Sequence, residues 1–235
     1  MEINQKESKR GFLIVIEGID STGKATQTEL LYKSMKDDNK KVRKIEFPDY
    51  KSNSSALIKM YLNGDFGENP QDINPYAASI FFAVDRFASF NMSWKSFYEN
   101  GGIVICDRYV TSNMIYQAAK FDSDKGREEY LEWLTDLEFK KLQLPIPNLV
   151  IFLSVPPSYC LALIKERLNK FTGNSKKDIH EKDEKYMRKT YDVASVVSAK
   201  YNWKVIDCIE NECIMSIEKI SSLIKEIVYK EIDDR

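Results

Sequence analysis

The chain has 235 residues, 43% of them hydrophobic and 30% charged, with a formal net charge of −1. That is enough to bury a full sheet between helices as one domain over residues 1–235, while the charge balance excludes a global basic field for nucleic acid. No apolar run reaches the roughly 20 residues of a membrane span, and the N-terminus lacks the hydrophobic core of a signal peptide, so a cytoplasmic protein is expected, with no membrane partner.

Taken in chain order, the first element is the β-branched run at 12–17, which suits a strand buried on both faces. Behind it, residues 18–25 read GIDSTGKA. Gly18 and Gly23 let backbone amides turn inward around an anion, a helix predicted over 24–38 adds its positive end, and Lys24 supplies a point charge. The pattern GxxxxGK[ST] is complete except for its last place, where Ala25 stands instead of the hydroxyl that binds Mg²⁺. Thr26 is rotated about 100° around the helix from Ala25 and cannot simply replace it. The metal then has to be held by phosphate oxygens, water and carboxylates.

A second strand is predicted at 42–47, followed by Pro48 and Tyr50 and a helix over 53–62. The long helix predicted over 75–99 carries Phe82 and Arg86 four residues apart on one face, where a flat ring and a planar cation can address one nucleobase. Phe81, Phe87 and Phe90 read as core. The strand at 102–106 delivers Asp107 and Arg108 to its carboxyl end, the edge of an open α/β sheet where ligands bind. Asp107 there can hold Mg²⁺ or its waters, and Arg108 can clamp a phosphate with its fork. Helices over 110–119 and 126–140, a strand at 148–153, helices over 156–169 and 181–200 and a strand at 203–207 complete the alternation. A last helix over 213–231 has apolar residues every three to four positions and should pack on the sheet. The expected fold is α/β, a five-stranded parallel sheet with helices on both faces. Cys106, Cys160, Cys208 and Cys213 show no metal-type spacing and read as core thiols.

Together these segments resemble the thymidylate kinases, nucleoside monophosphate kinases of the P-loop NTPase type with a three-layer α/β/α fold. The likeness runs from IEGIDSTGKATQ through FPDY, the Phe82 to Arg86 segment, DRYVTSNMIYQ and LPIPNLVIFL to a lid-like stretch. It implies transfer of the γ-phosphoryl group of MgATP to dTMP, with Mg²⁺ as cofactor and a homodimer as the usual assembly. The loop from Gly18 through Ile19, Asp20, Ser21, Thr22, Gly23, Lys24, Ala25 and Thr26 corresponds to the ATP phosphate site. Asp20 is placed near the sugar 3′-hydroxyl and the reacting phosphates. Phe82 corresponds to the ring on which thymine stacks, Arg86 to a donor to a thymine carbonyl, and Asn113 to an amide reading the base edge, with Gln117 nearby. Tyr116 corresponds to an aromatic against C2′ that crowds a ribose hydroxyl. Phe47, Tyr50, Arg108 and Ser112 complete the acceptor site.

Some members of this family carry a catalytic arginine in the phosphate loop, where this chain has Ser21; others supply it from the lid. The lid candidate at 169–186 contains no arginine, so Lys170, Lys176 and Lys177 are the available cations, with Arg167 on the preceding helix. Lysine offers a point charge without the bidentate fork. His180 reads as an exposed lid residue.

Overall fold

The computed structural model describes residues 10–170, 180 and 183–234, without the side chains of 165–170. Five strands form one parallel sheet in the order β2-β3-β1-β4-β5: β1 Phe12–Glu17, β2 Val42–Glu46, β3 Ile103–Asp107, β4 Leu149–Ser154 and β5 Lys204–Asp207. The period of two sorts β1 between two cores. Leu13 and Val15 pack with Val104, Cys106, Trp94, Tyr130 and Val197 on one face, and Ile14 and Ile16 with Leu31, Met35, Ile220, Ile224 and Val228 on the other. Helices α1 (Lys24–Asp37) and α9 (Ile217–Asp233) cover the second face. Helices α5 (Val110–Tyr116) and α6 (Asp124–Thr135) cover the first, and α8 (Glu184–Lys200) contributes to both. The three-layer α/β/α fold expected from the alternation is therefore present.

Three helices depart from their expected course. The stretch predicted as one helix over 75–99 is α3 (Pro75–Ser89), a π-helical turn Phe90–Trp94 and α4 (Lys95–Glu99). Phe90 and Trp94, four apart across this turn, both face the core. Helix α6 likewise runs into a π-helical turn, Asp136–Lys141, which contains the buried Glu138. Finally, Cys213 and Ile214, assigned to the last helix, instead form a short strand β7 paired antiparallel with β6 (Ile209–Glu210). Asn211 and Glu212 turn the chain with φ of 49° and 59°, and the Ser216 side chain caps α9 by accepting from the Lys219 amide at 3.2 Å. Cys213 is consequently exposed, unlike the three other cysteines, which are buried. Phe87, expected in the core, is also exposed.

The remaining helices are α2 (Ala56–Asn63), which with α3 encloses a small satellite core around Tyr61, and α7 (Pro157–Lys170). Strand boundaries fall within one residue of those read from the sequence.

Candidate active site

The site lies at the carboxyl ends of β1 and β3. Their register places Ile16 opposite Asp107, so the loop leaving β1 and the residues leaving β3 emerge side by side. The loop 18–23 is built for close backbone approach. A Cβ on Gly18 would come within 2.5 Å of Thr22 Oγ1, and Gly23 holds φ 86° at the start of α1. Lys24 folds back over this loop and donates from Nζ to the Ile19 carbonyl at 2.7 Å. Burial, then the neighbouring Arg108, pull its pKa down to about 8, against the opposing pull of Asp20, Asp107 and Glu17.

Arg108 occupies the left-handed region at φ 66°, and its amide donates to the Ile16 carbonyl at 3.1 Å. Strain of this kind persists where the surroundings enforce it. Its guanidinium is paired with Asp20, lies 3.6 Å from Glu17 and packs over the Tyr116 ring at 5.5 Å. Tyr116 in turn donates its hydroxyl to Asp20 at 2.8 Å. Burial works to raise the Asp20 pKa, yet Arg108, Lys24 and the Tyr116 hydroxyl outweigh it and hold the carboxyl below its usual value.

Glu17 was not singled out by the sequence. It is fully buried beneath the loop and accepts from Thr111 Oγ1 at 2.6 Å, Ser112 Oγ at 2.8 Å and the Gly18 amide at 3.0 Å. One carboxylate thus ties the phosphate loop to α5 and to Arg108. Its position immediately before Gly18, as the polar end of a wholly apolar strand, is the signal that could have marked it.

A cavity of about 330 Å³ opens beside this cluster. All ten residues assigned to the acceptor line it: Asp20, Phe47, Tyr50, Phe82 and Arg86 together with Arg108, Ser112, Asn113, Tyr116 and Gln117. Tyr50 sits at its exposed rim, where Asp85 anchors the segment by accepting from the Asp49 amide at 3.0 Å and from Ser54 Oγ. Arg86 is not free to address a ligand with its whole fork. Its Nε and Nη2 are taken by Glu138, which is buried at 0% exposure, and Nη1 reaches the Tyr109 carbonyl at 3.4 Å. Helical spacing from Leu131 and Leu134 puts Glu138 on the buried face, but nothing in the sequence pairs it with Arg86.

His180, expected as an exposed lid residue, is buried and lines the cavity, its ring stacked on Tyr116. The apolar surroundings of three tyrosine rings account for that burial. Of the loop residues, Ile19, Thr22 and Lys24 are buried, Asp20 and Ser21 are half-buried, and Ala25 and Thr26 face outward on the first turn of α1. Most of the stretch 169–186, with Lys176 and Lys177, lies outside the described residues, as do the side chains of Lys170 and Arg167.

A glycine-bracketed anion loop with a buried lysine, facing a nucleotide-sized cavity across a carboxylate–arginine cluster, defines a phosphotransferase of the nucleoside monophosphate kinase class. The comparisons agree. A family model for thymidylate kinase matches residues 16–217. The thymidylate kinase of Mycobacterium tuberculosis (strain ATCC 25618 / H37Rv) is 29% identical over 189 residues, 80% of this chain and 86% of that protein. That of Plasmodium falciparum (isolate 3D7) is 29% identical over 65% of this chain and 66% of its own length. The solved thymidylate kinase of Candida albicans superimposes with a TM-score of 0.66 at 22% identity, covering 96% of this chain and 94% of that one, a likeness of fold. This chain belongs to the thymidylate kinase family.

Proposed function

We infer that the protein is a dTMP kinase, transferring the γ-phosphoryl group of MgATP to dTMP to give dTDP and ADP. The observation that carries this reading is the Arg108 cluster, which joins the anion loop to the cavity holding Phe82, Asn113 and Gln117. The acceptor phosphate oxygen already bears charge at neutral pH. It attacks the γ-phosphorus, and the bond to the β-phosphate breaks with its electron pair leaving on ADP, so no covalent enzyme intermediate is needed. The protein's task is to hold two anions together and offset their repulsion.

In this reading Lys24 and the loop amides hold the ATP phosphates, and Arg108 holds the acceptor phosphate beside Asp20. Phe82 stacks the thymine, and the buried amides of Asn113 and Gln117 read its edge. Gln117 Oε1 has no hydrogen-bond partner among the described residues although the side chain is buried, so an acceptor is available for an imide N–H. Arg86, pinned by Glu138, lends its remaining N–H capacity to a base carbonyl.

The residues also fit Mg²⁺. Among the described residues no group of three ligating side chains gathers to form an all-protein cage, whereas the Asp107 carboxylate makes no hydrogen bond or ion pair with any described residue. That matches an ion held by one carboxylate, water and substrate phosphates. When bound, Mg²⁺ neutralises charge on the transferring phosphates.

Three outcomes follow from these assignments. Phe82→Ala should weaken dTMP by about 1–3 kcal/mol, read as a raised KM with ATP affinity preserved; an unchanged KM for dTMP would remove Phe82 from the base site. Lys24, with its pKa near 8, is charged below that pH and neutral above it. The ratio kcat/KM for ATP should therefore decline above about pH 8, while kcat at saturating ATP declines only at higher pH, because the phosphates favour the ammonium. A kcat/KM flat to about pH 9.5 would contradict a phosphate contact from Lys24. On α3, Ile80, Val84 and Phe87 form an exposed apolar stripe suited to a homodimer interface. Sedimentation should give twice the chain mass, and a monomer at micromolar concentration would refute the dimer. We place the enzyme in the cytoplasm, where its nucleotide substrates are.

A further inference from the structure

His180 lies against Tyr116, one of the assigned acceptor contacts, and is joined through Tyr61 to another, Phe82. Its ring is stacked on Tyr116 with centroids 5.2 Å apart and planes 20° from parallel. Its Nε2 is 3.0 Å from the Tyr61 hydroxyl, and the Tyr61 ring meets it edge-on at 5.6 Å. Tyr61 is itself only 1% exposed and is held from behind by Lys120, whose Nζ donates to the Tyr61 oxygen at 3.2 Å and to the Ile73 carbonyl at 2.9 Å. The same Tyr61 ring stands perpendicular to Phe82 at 6.1 Å. Burial, reinforced by Lys120 and Arg108, pushes the His180 pKa down to about 3 despite the pull of Asp20, so the ring is neutral at physiological pH. It adds a flat, uncharged wall beside the ionic cluster of Asp20 and Arg108.

A tyrosine that excludes a 2′-hydroxyl by crowding can do so only if its ring cannot retreat. Tyr116 is fixed at its tip by Asp20 and on its flat face by His180. We propose that His180, braced by Tyr61 and Lys120, is a positioning residue that holds the Tyr116 ring in place and thereby sets the preference for deoxyribose over ribose acceptors. This rests on the reading of the cavity as the dTMP site.

The test compares kcat/KM for dTMP and for ribothymidine 5′-monophosphate in wild-type protein and in His180→Ala, His180→Phe and Tyr61→Phe. In His180→Ala the deoxy-to-ribo ratio should fall about tenfold, with KM for ATP changed by less than about twofold. His180→Phe, which keeps the flat ring, should restore the ratio to within about threefold of wild type, and Tyr61→Phe should fall between. An unchanged ratio in His180→Ala would overturn the proposal, as would equal losses for both acceptors and ATP together with a lowered Tm. If His180→Ala does not fold, a wild-type ratio in Tyr61→Phe overturns it instead. A wild-type enzyme that fails to phosphorylate dTMP refutes the cavity reading itself. A selective wild type with an unaltered His180→Ala refutes only the role of His180.

Discussion

Arg108→Ala should lower kcat by about 10²–10³-fold while the protein remains folded, because in the proposed reaction the arginine contributes chiefly when two phosphate groups are brought together. In the protein as it stands, its guanidinium spans Asp20 and Glu17 and packs on Tyr116. Truncation would remove the planar donor proposed for the acceptor phosphate and leave the carboxylates of Asp20 and the buried Glu17 beside it without that counter-charge, so repulsion that the arginine offset is restored. Stability suffers less, since Glu17 keeps three other donors in Thr111, Ser112 and the Gly18 amide, and Asp20 keeps Tyr116. Arg108→Lys should recover only part of the rate, as a point charge cannot hold a carboxylate and a phosphate in one plane. Steady-state kinetics at saturating ATP and dTMP read the effect, and a kcat within about threefold of wild type would remove Arg108 from the reaction.

The largest stability effect is expected at Glu138. Its carboxylate and the Arg86 guanidinium are at 0% and 1% exposure, and the carboxylate takes up two of the three guanidinium nitrogens. Removing one member of such a pair leaves the other buried without a counter-charge, so Glu138→Ala should cost about 3–5 kcal/mol. Glu138→Gln, which retains one accepting oxygen, should cost less. The same variants should weaken dTMP more than ATP, because Arg86 lines the acceptor cavity and would no longer be held in one orientation. Urea unfolding with an unchanged m-value measures the loss, and a cost below about 1 kcal/mol for the alanine variant would show that the pair does not hold this wall together.

The parts of this molecule legible in the sequence are those where local chemistry and tertiary position coincide. The apolar run 12–17 had to be a buried strand, and a Gly-Lys pair straight after it had to be a turn into a helix, so the anion loop could be located without a fold. Asp107 and Arg108 were legible for the same reason, as charges at the end of a buried run. What escaped depends on local turns or on partners distant in the chain. Glu138 follows the buried Leu131 and Leu134 at ordinary helical spacing, so its face could be read, but a carboxylate there gives no sign of its partner Arg86, 52 positions away. His180 lies in a polar stretch whose composition suggests solvent, yet it is buried by three tyrosines from other elements. Cys213 and Ile214 continued a helical period but were claimed by a hairpin, because the residues before them turn with positive φ.

The central claim is that one cavity wall reads thymidylate while the neighbouring loop presents the γ-phosphoryl group to it. Incubation of the purified protein with ATP, Mg²⁺ and each of dTMP, dUMP, dCMP and ribothymidine monophosphate, with the nucleotide products separated, tests it most directly. The expected result is dTDP formed in equal amount to ADP, with dTMP the preferred acceptor and the ribonucleotide a poor one. ATP consumed to inorganic phosphate with no diphosphate product from dTMP, or a cytosine acceptor used more efficiently, would contradict it.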